Sequence, residues 1–353
     1  MNELLRRLAD IPPGDLPFLS IYLDVRPEVP GERPGRRAGL VVFEDRMREI
    51  RRTYLPRGPK LDSFDADADR INRWLREEMQ RSTEGAAIFA CSGRGVFETV
   101  EAGVPFENQV TAAEAPDLYQ LARFDDEFET ALAAVLDTNT LRLFVYRYGT
   151  LSERGGIDDD PVHYQKRQVG GWSQARYQRH IDNHRREFTA EIGKTIAGTA
   201  EREGATRIVL AGDPPSIAPL VEQMPRDALE KVRDVVKLDL RATRNEVLAE
   251  VEPVLREAEA RSGESAVERL VAEVRKGQLA ATGAPDVERA LDNGQVDELL
   301  IDDTADVGDS VRATLTRKAL ATGATIEAVA GSSPLLALGG VGAVLRYRLS
   351  DGQ

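Results

Sequence analysis

Apolar positions along this chain recur in two rhythms, every second residue and every third or fourth. The rhythm changes at short runs of Gly, Pro and charge. MNELLRRLADIPPGDLPF reads as an amphipathic helix and a Pro-Pro turn, and Pro17–Val25 (PFLSIYLDV) alternates as a strand does. Glu28–Arg36 is a loop by its Pro, Gly and charge content. Leu40–Tyr54 and Asp65–Arg81 have helical spacing. Gly85–Ala90 and Val96–Val100 read as strands joined by CSGRG in a hairpin. Ala115–Leu121 (APDLYQL) leads into a helix predicted over Asp125–Leu136.

A β-rich run at Thr140–Tyr146 then turns at Tyr148-Gly149 and returns near Thr150–Arg154, before a polar, irregular stretch over Gly155–Gln168. The spacing predicts a helix from about Ala175 to Arg202, a buried strand at Thr206–Leu210, a helix at Pro215–Gln223 and a strand at Val232–Leu240. Two helices follow, Arg244–Ala260 and Ser265–Gly277, with Ser262-Gly263 as the break. The remainder reads helix (Asp286–Leu291), strand (Glu298–Ile301), helix (Ser310–Ala321), strand (Thr325–Val329) and strand (Ala343–Arg348), with a glycine turn at Gly339–Gly342. The pattern implies a multi-domain α/β (α+β) protein. Its expected divisions are an N-terminal mixed α/β domain over 1–137, a middle α/β layer domain over 138–245, and a C-terminal α/β sandwich over 246–353.

Composition narrows the class. The chain has 353 residues, 41% apolar and 30% charged, which suits folded domains rather than disorder. The single cysteine, Cys91, supports neither an internal disulfide nor a multi-cysteine metal site. No apolar run approaches the roughly 20 residues of a membrane helix, and the start lacks a signal-peptide pattern. The expectation is a cytoplasmic protein with no membrane partner. The formal charge of −13 argues against broad nucleic-acid binding, because phosphate affinity comes from Lys and Arg.

That charge is unevenly spread. Pro161–Arg186 holds six basic residues (Lys166, Arg167, Arg176, Arg179, Arg185 and Arg186) against one acid, Asp182. The window also contains all three histidines, His163, His180 and His184, and one of two tryptophans, Trp172. An island of this kind is either an ordinary basic helix on an acidic protein or a local RNA or phosphate contact. Within it, Gly170-Gly171 is backbone able to approach a ligand closely, and Gln174 carries a neutral amide that both donates and accepts. The helix beyond has an apolar stripe at Tyr177, Ile181, His184, Phe188, Ile192 and Ile196, with Arg176, Arg179, Arg186 and Lys194 opposite.

Gly170-Gly171-Trp172-Ser173-Gln174-Ala175, followed by Arg176-Tyr177-Gln178-Arg179 and Glu187-Phe188, resembles the Gly-Gly-Gln loop and Arg-rich helix of archaeo-eukaryotic-type translation release factors. Leu141–Gly149, IVLAGDPP at Ile208–Pro215 and ALDNGQVDELLI at Ala290–Ile301 extend the likeness, and PFLSIYLDV with the hairpin at Gly95 adds weaker support upstream. One departure matters: Trp172 stands where the family's glutamine directly follows the glycines, and Gln174 lies two positions later. A shifted glutamine is also a feature of the Vms/ANKZF-type peptidyl-tRNA hydrolases, relatives of the Pelota-like factors.

The resemblance implies a ribonuclease-H-like middle domain and hydrolysis of the peptidyl-tRNA ester on stalled ribosomes. Gln174 would place a water and a dipole at the carbonyl, and Gly170 and Gly171 would shape its loop. Lys166, Arg167, Ser173, Arg176, Arg179 and Arg186 would contact RNA, while Trp172 either stacks on a base or packs under the loop. The implied partners are the large ribosomal subunit, peptidyl-tRNA and a translational GTPase. No cofactor and no metal are expected. Two rivals remain: a non-catalytic ribosome-binding rescue or hibernation factor, and an RNA-processing or non-ribosomal module reusing the fold. The Asn-Ile-Lys-Ser tetrapeptide of codon-reading factors is absent.

Other signals read as structure. His180 and His184 have two-histidine spacing but no metal-motif glutamate, and His184 lies on the apolar stripe. Asp158-Asp159-Asp160 reads as a solvated loop. Gly93-Arg94-Gly95 and Gly339–Gly342 read as hairpin turns. AGDPP follows a strand without the lysine-serine pair of a nucleotide loop. Ser173 has no triad pattern in sequence, and Cys91 reads as inert.

Overall fold

The computed structural model describes residues 2–26, 38–54, 57–158 and 171–347, with the backbone alone for residues 2, 38, 158 and 171–185. It is a mixed α/β, multi-sheet protein, as the pattern implied. The chain forms two compact units, Met1–Glu127 with Ala260–Gln353, and Phe128–Glu259.

In the first unit, α1 (Asn2–Ala9), β1 (Phe18–Asp24), α2 (Ala38–Thr53), α3 (Pro59–Arg73), β2 (Gly85–Cys91), β3 (Val96–Ala102), β4 (Gln109–Ala113) and α4 (Tyr119–Glu127) come in that order. The sheet is antiparallel, ordered β3-β2-β1-β4. Phe43, Met47, Phe64, Ile71 and Trp74 cover one face, packing on Leu19, Ile21, Leu23, Ala86 and Ile88. The expected hairpin is present: Gly95 ends the turn at φ +67°, in the left-handed region that glycine enters freely.

The second unit contains β5 (Ala131–Leu136), β6 (Thr140–Arg147), β7 (Thr150–Asp158), α5 (Gly171–Glu203), β8 (Arg207–Gly212), α6 (Pro214–Gln223), α7 (Arg226–Leu229) and β9 (Val232–Val236). Its sheet order is β7-β6-β5-β8-β9, with only β6 running against the others. This is the ribonuclease-H-like arrangement that the resemblance implied. Tyr148 and Gly149, at φ +52° and +74°, form the tight β6–β7 turn.

The helix expected over Asp125–Leu136 is replaced by the end of α4 and by β5. The apolar stretch ALAAVL has helical propensity, yet β5 is the central strand and is buried on both faces, so no alternation marks it. The Ser262-Gly263 break is also absent. Helix α8 (Arg244–Lys276) is continuous through it. The flanking Ala, Glu and Arg are strong helix formers and outweigh the roughly 1 kcal/mol cost of one glycine. Its first half packs Val247, Val251 and Leu255 on the middle sheet, and its second half packs Val267 and Leu270 beneath the last sheet.

That last sheet belongs to the first unit. It comprises β10 (Ala280–Thr282), α9 (Ala284–Asp292), β11 (Val296–Asp302), α10 (Asp309–Thr322), β12 (Thr325–Val329), α11 (Ser333–Ala337) and β13 (Val341–Leu345), with strand order β10-β13-β11-β12. Val287, Leu291, Leu299, Ile301, Leu315 and Ala319 fill its core under α9 and α10.

Candidate functional site on helix α5

Two segments bring the site together: the carboxyl ends of the parallel strands β5 and β8, and the helix α5 that leads into β8. Leu136 pairs with Gly212 where both strands end. A Cβ on Gly212 would lie 2.4 Å from the Leu136 carbonyl oxygen, so the close approach demands glycine. Gly212→Ala is expected to cost about 1–3 kcal/mol by forcing these strand ends apart. An unchanged thermal midpoint would contradict this.

Helix α5 begins at Gly171, four residues before the expected start at Ala175. Trp172, Ser173 and Gln174 therefore occupy helical backbone positions rather than a loop. Gly170, Lys166 and Arg167 lie outside the described residues, as do His163, Asp159 and Asp160. Gly171, Trp172, Ser173, Gln174, Arg176 and Arg179 are placed by backbone alone on the first turns of α5.

The stripe predicted for this helix is present where side chains are described. Phe188, Ile192 and Ile196 are buried against Leu132, Leu136, Leu143, Ile208 and Leu210. Arg186 and Lys194 are exposed. In helical register, Trp172, Arg176 and Arg179 continue the line of Arg186 and Lys194. The Gln174 position continues the line of Phe188 and Ile192.

A cleft of about 520 Å³ opens at the strand ends, lined by Leu136, Asp137, Thr138, Arg186, Phe188 and Ser216, among others. Such crevices outside the carboxyl ends of strands are common ligand positions in open α/β sheets. The Asp137 carboxylate is committed to its own turn: Oδ1 accepts from the Asn139 and Thr140 amides, each at 2.8 Å. The AGDPP turn offers no phosphate cradle. Helix α6 opens on Pro214 and Pro215, which have no N–H, and the Ser216 and Ile217 amides donate back to the Asp213 carbonyl at 3.0 and 3.2 Å. Ser216 Oγ donates to Asp213 Oδ1 at 2.7 Å. Sequence reading missed the cleft because it assigned β5 to a helix. The available signal was an apolar run stopped by Asp-Thr-Asn-Thr, a turn composition.

Residues 116–256 match the model of Bacterial archaeo-eukaryotic release factor family 10. The chain is similar to bacterial archaeo-eukaryotic release factors over this span. It is also 28% identical, over 195 residues, to the Protein pelota homolog of Pyrococcus abyssi, covering 51% of this chain and 53% of that protein. The match thus spans about half the length of this curated relative. Similar solved structures include an archaeal translation termination factor, aRF1, at 18% identity and a TM-score of 0.29, covering 98% of this chain and 96% of that one. Dom34 of S. cerevisiae is similar at 13% identity and a TM-score of 0.45, covering 76% and 80%. Among the described residues, no helix is long and apolar enough to cross a membrane.

Proposed function

We propose that this protein acts in ribosome rescue, binding the large subunit and hydrolysing peptidyl-tRNA on stalled ribosomes. The supporting observation is the Gly170-Gly171-Trp172-Ser173-Gln174 sequence, whose last four residues open a long helix with a basic first half, inside the span matched by the release factor family. The reaction is water attack on the ester carbonyl, and the leaving 3′-oxygen of the tRNA takes up a proton. Gln174 orients the water through its amide without adding charge to a phosphate-lined site. Arg176, Arg179 and Arg186 contact RNA phosphates and set the position of the helix. A translational GTPase is the proposed delivery partner.

The test is peptide release from stalled ribosome–nascent-chain complexes. Wild type is expected to release peptide, and Gln174→Ala to lose at least about a hundredfold in rate, the lower end of what one positioned polar group contributes. Equal rates would remove Gln174 from the mechanism.

A second reading has its own observation. Trp172 shares the register of the arginine face, whereas Gln174 follows the buried stripe. A non-catalytic rescue or hibernation factor would use that face for docking alone. Loss of ribosome co-sedimentation in Trp172→Ala, with no release by wild type under any condition, would select it.

A further inference from the structure

Arg46–Lys60 holds six basic residues, Arg46, Arg48, Arg51, Arg52, Arg57 and Lys60, against one acid, Glu49. This second positive island on an acidic chain covers the end of α2 and the start of α3. It lies in the first unit, outside the span matched by the release factor family.

Helices α2 and α3 both cover the first sheet and leave a groove of about 590 Å³ between them. Its floor is apolar, made by Phe43 and Met47 of α2 and by Phe64 and Ala68 of α3. Two ion pairs cross the groove. Arg51 donates to Asp65 from Nε and Nη2 at 2.7 and 2.8 Å, and Arg76 meets Glu44 at 3.8 Å. Seven residues of α2 separate Glu44 from Arg51, so the pairs frame a slot about 10 Å long, two helical turns. Between them, Arg48 on the α2 rim and Arg73 on the α3 rim are exposed. Arg48 leans on Asp45 of its own helix. Val41, 47% exposed, precedes Glu44 by one turn and Arg48 by two, and so extends the α2 rim with an apolar side chain.

The α3 wall carries a rare backbone feature. A single π turn, Trp74–Glu78, continues the helix, and the Met79 amide donates to the Trp74 carbonyl five residues back at 3.0 Å. The widened turn lets the consecutive Trp74 and Leu75 both enter the core and leaves Arg76 and Glu77 together on the groove. Such turns are uncommon and are frequent at functional sites.

We propose that this groove docks an acidic amphipathic helix of a protein partner. An apolar face at i, i+3 or i+4 and i+7 spans two turns, the length of the slot, and its side chains enter between α2 and α3 onto Met47 and Ala68. Acidic positions flanking that face meet Arg48 and Arg73. The surplus of cations at Arg52, Arg57 and Lys60 sets which way the partner lies. The same observations disfavour RNA. Phe43 and Phe64 are each 1% exposed, so neither ring offers a face on which a base can stack. Glu44, Asp69 and Glu77 interrupt the cationic rims, where a continuous phosphate backbone meets like charge and a helix can place uncharged residues.

The test is fluorescence anisotropy on the full chain with a labelled peptide of about 15 residues, leucine on one helical face and glutamate and alanine elsewhere. The peptide is expected to bind more tightly than its scrambled form. It should weaken as ionic strength rises from about 0.1 M to 1 M, where the screening length falls from about 10 Å to 3 Å. Arg48→Glu with Arg73→Glu, both exposed, should weaken it at least about tenfold with native circular dichroism. Val41→Asp should weaken it in the same direction. Arg226→Glu with Arg256→Glu, the same change of net charge on exposed positions of the other unit, should leave binding unchanged. Equal binding of the scrambled peptide, no binding of either, or equal losses in the two double variants would overturn the proposal. So would a labelled oligouridylate that outbinds the peptide and is lost in Arg48→Glu with Arg73→Glu, which would make the surface an RNA contact.

Discussion

Arg207→Ala is expected to lower the stability of the unit spanning Phe128–Glu259 by about 3–5 kcal/mol, the range for breaking a buried ion pair from one side. The Arg207 side chain is only 7% exposed at the start of β8. Its Nε meets Glu129 at 2.8 Å, Nη2 meets Glu259 of α8, and Nη1 donates to the Leu255 carbonyl at 3.3 Å. One guanidinium thus ties β8 to Glu129, two residues before β5, and to the covering helix α8. Alanine removes the cation that the Glu129 and Glu259 carboxylates share. Arg207→Lys should recover part of the loss, since a single ammonium cannot satisfy three acceptors in this fork. Urea unfolding measures both, and a loss under about 1 kcal/mol for alanine would show that the pairs are solvated.

Asp67→Asn is expected to raise the stability of the first unit by about 2–3 kcal/mol at pH 7.5, and to change it little near pH 4. Asp67 is 2% exposed beneath the β2–β3 hairpin. Oδ1 accepts the Ser92 amide at 2.7 Å, while Oδ2 is buried with no hydrogen-bond partner. Burial pushes its pKa up to about 6, against the pull of the Ser92 hydrogen bonds. A carboxyl in an unfolded chain titrates near 3.9. The folded state therefore holds its proton more tightly, and this contribution is fully present below about pH 4. It is lost as pH rises through 6, at about 1.4 kcal/mol per unit of difference. Asparagine keeps the acceptor for Ser92 and removes the buried charge. Urea midpoints at several pH values test this, with the buried Trp74 as the local probe. The idea fails if wild type and variant show the same slope between pH 4 and 7.

How far the sequence could be read follows from what each pattern reports. The β2–β3 hairpin and α9, β11, α10, β12 and β13 were legible because turn residues and apolar periods agreed there, whereas α11 was missed and Gly339–Gly342 is no hairpin turn, since it follows α11 and β13 pairs with β10 and β11 rather than β12. β5 was not, because a strand buried on both faces has no polar side to alternate with, and its alanines point locally to helix. The Gly263 region was misread for the opposite reason. A local breaker is tolerated when the flanking Ala, Glu and Arg favour the helix strongly enough to outweigh one glycine. At the candidate site, the residue types on α5 were legible from the charge island and the glycine pair. The start of the helix was not, since the Gly170-Gly171 pair signals a loop and Trp and Ser carry little helical signal, and the cleft depended on β5. The contacts of Tyr119 with Asp303 and Arg312 were invisible because those residues are distant from it in sequence.

The division into units bears on how the chain is assembled in time. Phe128–Glu259 is one uninterrupted stretch, whereas the other unit draws on residues from both sides of it. During synthesis the middle segment can close its five-stranded sheet while the last sheet is still unmade. Helix α4 must meanwhile wait, with Tyr119 and Arg123 still lacking Asp303. Completion of that unit requires contacts separated by more than 180 residues, such as Tyr119 with Asp303, and loop closure over such distances is slow. The final step of maturation is therefore the docking of preformed parts, and its rate is set by chain topology rather than by local propensity.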